Sequence, residues 1–207
     1  MHSLLSTAYW PNLHYFFYVL NSESTQIEQF ENYQKQSFRN RSQILSANGV
    51  LDLSIPIHKK RSKEITKNIQ ISYKENWQIK HWRAITSAYK NSPYFGFFEE
   101  DIKPFYIEKQ EFLLDYNDAQ LGVIFKILKI KGNLSRSCDY QKDTNGRLDL
   151  RAYFLPKADF KKDVRVTRIL EKPYYQTFGV KYGFVPNLSI LDLLFNTGLG
   201  TIDYLEG

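Results

Sequence analysis

Two periodicities divide the chain into elements. Leu4-Leu5-Ser6-Thr7-Ala8-Tyr9-Trp10 reads as a short strand. Pro11 suits a first helical position, and Leu13, Phe16, Phe17 and Leu20 then follow at helical spacing. Thr25 to Phe30 is predicted as the next strand, so the chain opens β-α-β. The strongest turn signal is Asn48-Gly49, because both positions tolerate the positive φ of a type I′ hairpin turn. A two-residue loop there places Ala47 opposite Val50, Leu45 opposite Asp52, Ile44 opposite Leu53 and Ser42 opposite Ile55. Leu51, Leu53, Ile55 and Ile57 then share the core face, and Arg39, Arg41 and Gln43 share the other with Asp52 and Ser54.

Ile65 to Tyr73 alternates and predicts a further strand. From Asn76, a plausible N-cap, the period becomes helical through Tyr89, with Trp77, His81, Ala84, Ile85 and Ala88 in one stripe. Asn91-Ser92-Pro93 ends that helix, and Tyr94 to Tyr106 is rich in aromatics. The acids Glu99, Glu100 and Asp101 there are read as capping or solvated groups. Glu108 to Lys131 is the longest helical stretch, with Phe112, Tyr116, Ala119, Val123 and Ile127 as its stripe and a stop before Gly132. Residues 133–149 are polar, carry Asn145-Gly146 and read as a loop or flexible insertion. A strand is expected within Leu148 to Leu155, and Asp159 to Glu171 is expected to be exposed. The last predicted helix, Leu188 to Asn196, has a Ser189/Asp192 capping-box spacing and a stop at Gly198. With no repeat and no linker, the prediction is one α/β domain over 1–207. Its mixed sheet has a β-α-β start with the hairpin joined to it and helices covering it.

Composition narrows the class. Hydrophobic residues make up 43% and charged residues 24%, which fits a packed globular domain and excludes disorder. A net charge of +6 favours anionic partners. The charge is dispersed, however, its densest run being His58-Lys59-Lys60-Arg61-Ser62-Lys63, which argues against a nucleic-acid stripe. The single cysteine, Cys138, rules out an intrachain disulfide framework and a cysteine-based zinc cluster. His2, His14, His58 and His81 are too scattered for metal-ligand spacing, so no metal is expected. No leader pattern or stretch of ~18 apolar residues is evident, which predicts a soluble, cytoplasmic protein.

His81, on an apolar helical face, is the best general acid/base candidate, with a packed core histidine as the alternative. His14, alone in the first turn of its helix, reads as a packed or surface residue.

An ordered set of motifs resembles the WbqC-like proteins. It comprises Ala8-Tyr9-Trp10-Pro11-Asn12-Leu13-His14-Tyr15-Phe16, Asn32 to Arg41, Ile55-Pro56-Ile57, Lys80-His81-Trp82-Arg83, Pro93-Tyr94-Phe95 and Pro186 to Leu194. The chain departs from the commoner family pattern at two points. Many members carry Pro-Trp-x-Gly-Tyr-Phe where this one has Pro11-Asn12-Leu13-His14-Tyr15-Phe16, which argues against a close backbone approach of a ligand at His14. Many also carry an acidic pair where Glu31-Asn32-Tyr33 keeps one acid. The family's association with bacterial surface-polysaccharide gene clusters, including O-antigen synthesis, implies a cytoplasmic role in making or modifying activated sugars. It supplies no established catalytic residues.

The resulting expectation is an enzyme of surface-glycan synthesis transferring a group from a nucleotide-sugar or another phosphorylated or acylated donor. Arg39 and Arg41 would bind phosphate or carboxylate through their fork of donors. Tyr33, Gln34, Lys35, Asn40 and Lys80 would complete the substrate pocket, Tyr9 and Asn12 its opposite wall, and His81 would transfer a proton. No cofactor and no oligomeric state can be read. The alternatives are a basic nucleic-acid-binding protein and a non-catalytic assembly factor. Whether Arg39, Arg41 and His81 line one cleft separates the first reading from these.

Overall fold

A computed structural model describes residues 1–58, 63–144, 146–156 and 158–207. The strands are β1 (His2–Leu5), β2 (Ser24–Ile27), β3 (Arg41–Ser46), β4 (Gly49–Ser54), β5 (Asn133–Arg136) and β6 (Leu148–Asp149). The helices are α1 (Leu13–Leu20), α2 (Trp77–Tyr89), α3 (Phe95–Ile102), α4 (Leu113–Leu128), α5 (Val164–Leu170), α6 (Gly179–Tyr182), α7 (Ile190–Thr197) and α8 (Thr201–Glu206). The chain is mixed α/β and opens β-α-β.

The central sheet has the order β5-β2-β1-β6, with every pairing parallel. Leu4, Leu5, Thr25 and Ile27 are buried, so the two middle strands carry the apolar side chains. Both edge strands come from residues 133–149, expected as loop or insertion. Their polarity suits edges, and a buried carboxylate fixes the segment between them. Glu28, fully buried after β2, accepts hydrogen bonds from Ser137 Oγ at 2.7 Å and Gln141 N at 2.8 Å. The Asn145-Gly146 turn and the middle of the basic run, Lys59 to Ser62, fall partly or wholly outside the described residues.

The β3–β4 hairpin stands as its own two-stranded ladder rather than joining the sheet. It packs on α2 and α7 through β3. Its register differs from the expectation by two residues, with Leu45 opposite Val50 and Ile44 opposite Leu51. A type I′ turn needs positive φ at both Asn48 and Gly49, and only Gly49 has it, at +99°. The loop is therefore Ala47-Asn48, closed by Ser46 Oγ, which accepts from Asn48 N and donates to Gly49 O. Leu53 and Ile55 are buried as expected, but Leu51 is exposed.

Ile65 to Tyr73 is not a strand. Thr66–Asn68 forms a 3-10 turn, because Thr66 N and Lys67 N bond to Glu31 O and Gln29 O. Only isolated bridges, such as Ile57 to Ile71, remain extended. Asn76 precedes α2 without a side-chain cap bond. The buried face of α4 runs through Leu113, Leu114, Tyr116, Asn117, Gln120, Leu121, Ile124 and Leu128, so Tyr116 of the expected stripe is buried while Ala119, Val123 and Ile127 are only partly so. Lys129, at φ 55°, ends that helix before Gly132 is reached. The charged 159–171 segment is amphipathic rather than exposed, since α5 buries Val166 and Leu170. Gly198, at φ 60°, does stop α7, and α8, which the sequence pattern did not reveal, follows it. Among the described residues no helix is long and apolar enough to cross a membrane.

Candidate functional site

In the sheet order, the chain moves from β1 outward through β2 to β5, then returns to the other side of β1 as β6. The segments that leave the carboxyl ends of these parallel strands share one edge of the sheet, where open parallel sheets place ligand crevices. A cleft of about 730 Å³ lies there, lined by segments that follow β2, β5 and β6. Its polar lining includes Glu31, Asn32, Gln34, Arg39, Asp149 and Arg151, and its aromatic lining is Tyr33, Tyr140 and Tyr153.

Arg39 forms the floor. Its Nε donates to Glu31 Oε1 at 2.9 Å, and one terminal nitrogen donates to Ser6 Oγ at 2.7 Å. The other reaches Gln34 Oε1 at 3.4 Å. Arg39 is only 3% exposed, so this pairing offsets the cost of burying its charge. Burial pushes the Glu31 carboxyl up, against the opposing pull of Arg39. Arg151 forms a second pair, donating to both oxygens of Asp149 at 2.9 and 2.6 Å and lying over the Tyr140 ring. Its bonds hold the Asp149 carboxyl below the usual range, with burial opposing. The two guanidiniums in the cleft are thus each neutralised by a carboxylate.

The sequence-selected residues separate. Tyr33, Gln34 and Arg39 line the cleft. Arg41 is half-buried on β3, and its Nε is sealed without a hydrogen-bond partner among the described residues. Arg41 acts electrostatically on the Tyr33 hydroxyl, as Arg39 does. Asn40 is structural, donating to Ile55 O at 2.8 Å. Lys35 is exposed, and so is Lys80, which pairs with Glu75 at 3.3 Å. Tyr9 is fully buried and bonds to His81 Nδ1 at 2.9 Å and the Tyr106 hydroxyl at 3.0 Å. Asn12 caps α1 by accepting from Tyr15 N. His81 lies among the rings of Tyr9, Trp77 and Tyr106 rather than in the cleft. Burial lowers its pKa to about 4, aided by Lys80 and opposed by the Ser54 bond. Arg39, Arg41 and His81 therefore do not line one cleft, which counts against the group-transfer site drawn from the sequence and leaves any such reading to rest on the cleft's other residues.

The residues missed by sequence reasoning are Ser6, Glu28, Glu31, Tyr140, Asp149, Arg151 and Tyr153. Their shared signal is a position at or after a strand's carboxyl end, and for Tyr140, Asp149, Arg151 and Tyr153 it is invisible until β5 and β6 are recognised as strands.

A second, smaller pocket of about 190 Å³ is bordered by Asn12, His14, Gln43, Tyr153, Phe154 and Asn187, among others. Behind it, Asp163 caps α5 and accepts bonds from His14 Nε2 at 3.1 Å, Arg165 Nε at 3.1 Å and the Tyr18 hydroxyl. Burial works against the Asp163 charge, but the bonds from Tyr18, His14 and Arg165 outweigh it and hold the carboxyl well below the usual range. Such a depressed carboxyl contributes stability that is fully present above the unfolded value of ~3.9 and is lost as pH falls below it. The stability difference between wild type and Asp163→Asn, measured by urea unfolding, should therefore be largest near neutral pH and shrink below about pH 4. A difference independent of pH would show that the carboxylate's charge plays no part.

The chain matches the WbqC-like protein family over residues 7–162 and belongs to it. It is also 28% identical, over 197 aligned positions covering 84% of each chain, to the uncharacterised protein Rv1507c of Mycobacterium tuberculosis. No solved structure matches it.

Proposed function

We propose that the large cleft holds the sugar portion of an activated donor, and that the protein transfers a group in cytoplasmic surface-glycan synthesis. The observation that carries this reading is a roomy cleft at the carboxyl edge of the parallel sheet, walled by paired charges and three tyrosines. Because Glu31 and Asp149 already neutralise Arg39 and Arg151, the cleft offers fixed hydrogen-bonding edges rather than net positive charge. Hydroxyl groups suit those edges, and the apolar face of a sugar ring suits tyrosine. Arg41, whose guanidinium makes no ion pair among the described residues, would draw the donor's phosphate or carboxylate beyond Tyr33. In this reading Arg39 positions the floor. His81, buried and bonded to Tyr9 away from the cleft, supports Tyr9 instead of moving a proton. The family resemblance to surface-polysaccharide proteins supplies the pathway context.

A thermal-shift series with nucleotides, nucleotide-sugars, sugar phosphates and acyl-CoAs tests the proposal. A bound donor at ten times its dissociation constant should stabilise the wild type by ~1.4 kcal/mol. Arg41→Ala should keep its fold and lose most of the response to charged donors. If no small molecule shifts the transition while RNA or DNA binds with steep salt dependence, the nucleic-acid reading replaces this one.

A further inference from the structure

His14 and His81 are both buried, yet their rings are used differently. His81 is bonded through Nδ1 to the Tyr9 hydroxyl and borders neither of the two pockets. His14 has a partner on Nε2 alone. Its Nδ1 has no partner among the described residues and is not one of their sealed, unpaired polar atoms. The ring borders the smaller pocket, and Tyr153 borders both that pocket and the large cleft. A carboxylate on one nitrogen and an open site at the other is the arrangement by which an acid residue fixes an imidazole's tautomer and makes the far nitrogen the base.

We propose that His14, oriented by Asp163, is the proton acceptor for a hydroxyl or amine nucleophile seated in the smaller pocket. The inference rests on the donor reading of the large cleft and adds an acceptor site to it. As the nucleophile's oxygen or nitrogen bonds to the donor's electrophilic centre, its proton passes to His14 Nδ1. The bond to the leaving group breaks with its electron pair on the leaving group, and the proton on His14 is then available to it.

The surroundings favour a base that is neutral beforehand. Burial lowers the pKa of His14, with Asp163 opposing and Arg165 adding to the effect. The charged and titratable groups around the ring are Asp163 and Arg165 at the start of α5, Tyr18 on α1 and Tyr153 after β6. Of these only the Asp163–Arg165 pair is ionised near neutral pH, so His14 is the group that titrates.

Histidine 15N NMR on the full chain tests the tautomer, with His14→Gln identifying the resonances. His14 should be protonated on Nε2 and bare on Nδ1 at neutral pH, and should titrate below ~6.5. Diethyl pyrocarbonate, an electrophile that needs a reachable neutral imidazole nitrogen, tests access. Peptide mapping of the folded wild type should find His14 modified and His81 unmodified, with His14 labelling falling on acidification. The mapping also stands alone if His14→Gln does not fold. A proton on Nδ1, or a His14 as inert as His81, overturns the inference. A reactive His14 in a protein that no donor stabilises supports the base and rejects the donor reading. Donor binding beside an inert His14 does the reverse.

Discussion

Arg39→Ala should lower the free energy of unfolding by ~3–5 kcal/mol, the usual cost of removing one partner from a buried ion pair. The arginine's hydrogen bonds join three parts of the chain: Glu31 and Gln34 after β2, Ser6 after β1 and the Arg151 carbonyl after β6. Removing the guanidinium leaves the Glu31 carboxyl, already disfavoured by burial, without its cation. Arg39→Lys keeps the charge but cannot reproduce a planar fork serving several acceptors, so it should recover less than half of the loss. Glu31→Gln should also be strongly destabilising, since the amide oxygen can still accept from Arg39 but the buried guanidinium, which cannot deprotonate, loses its counter-charge. Urea unfolding with an unchanged dependence on denaturant reads each value. A loss under ~1 kcal/mol for Arg39→Ala would place the pair in the class of solvated surface bridges and remove the rigid floor on which the cleft depends.

That outcome also bears on which parts of the molecule were legible in its sequence. The opening strand and helix, the hairpin's existence, α2 and the core of α4 announce themselves through apolar periodicity. Periodicity does not reveal strands whose pairing depends on distant partners. Asn133–Arg136 and Leu148–Asp149 become strands because β2 and β1 offer them free edges and Glu28 binds the segment between. Without those two strands the sheet order cannot be drawn, and the cleft at its carboxyl edge stays hidden. Arg39 stands out in the sequence as an arginine in a polar run that no hairpin needs, but its partners, Glu31 and Ser6, do not. A residue's sequence neighbours say little about whether its charge is free or spent on a buried carboxylate. Arg41, two residues away, differs from it in exactly that respect: its side chain has no carboxylate partner among the described residues. The same limit applied to histidine. His81 lies on an apolar face and looked like the reactive ring, whereas Asp163, remote in sequence, is what distinguishes His14.

Asp192→Ala should be nearly as costly as Arg39→Ala, at about 3–4 kcal/mol, from the penalty for leaving several buried donors unsatisfied. The sequence pattern placed this carboxylate in a capping box. In the structure Ser189 caps Leu191 N by itself, and Asp192 faces inward at 1% exposure. It accepts from the Tyr89 hydroxyl at 2.9 Å, the Tyr174 hydroxyl at 2.5 Å and Gln176 Nε2 at 2.8 Å. These bonds join α2, the segment before α6, and α7. Asp192→Asn should cost less than alanine but remain destabilising, because its amide group turns one accepting position into a donor facing other donors. Burial raises the Asp192 carboxyl above the usual range, with the three bonds opposing. Between the unfolded value of ~3.9 and that raised value, the native state binds the proton more readily than the unfolded chain. Stability attributable to Asp192 therefore rises as pH falls through this window, opposite in sign to the contribution of Asp163. Urea unfolding of wild type, Asp163→Asn and Asp192→Asn across the acid range should separate the two signs: relative to wild type, the Asp192 variant loses the acid-side gain and the Asp163 variant loses the acid-side decline. Parallel pH profiles for the two variants would mean that neither carboxylate titrates as its burial and partners require.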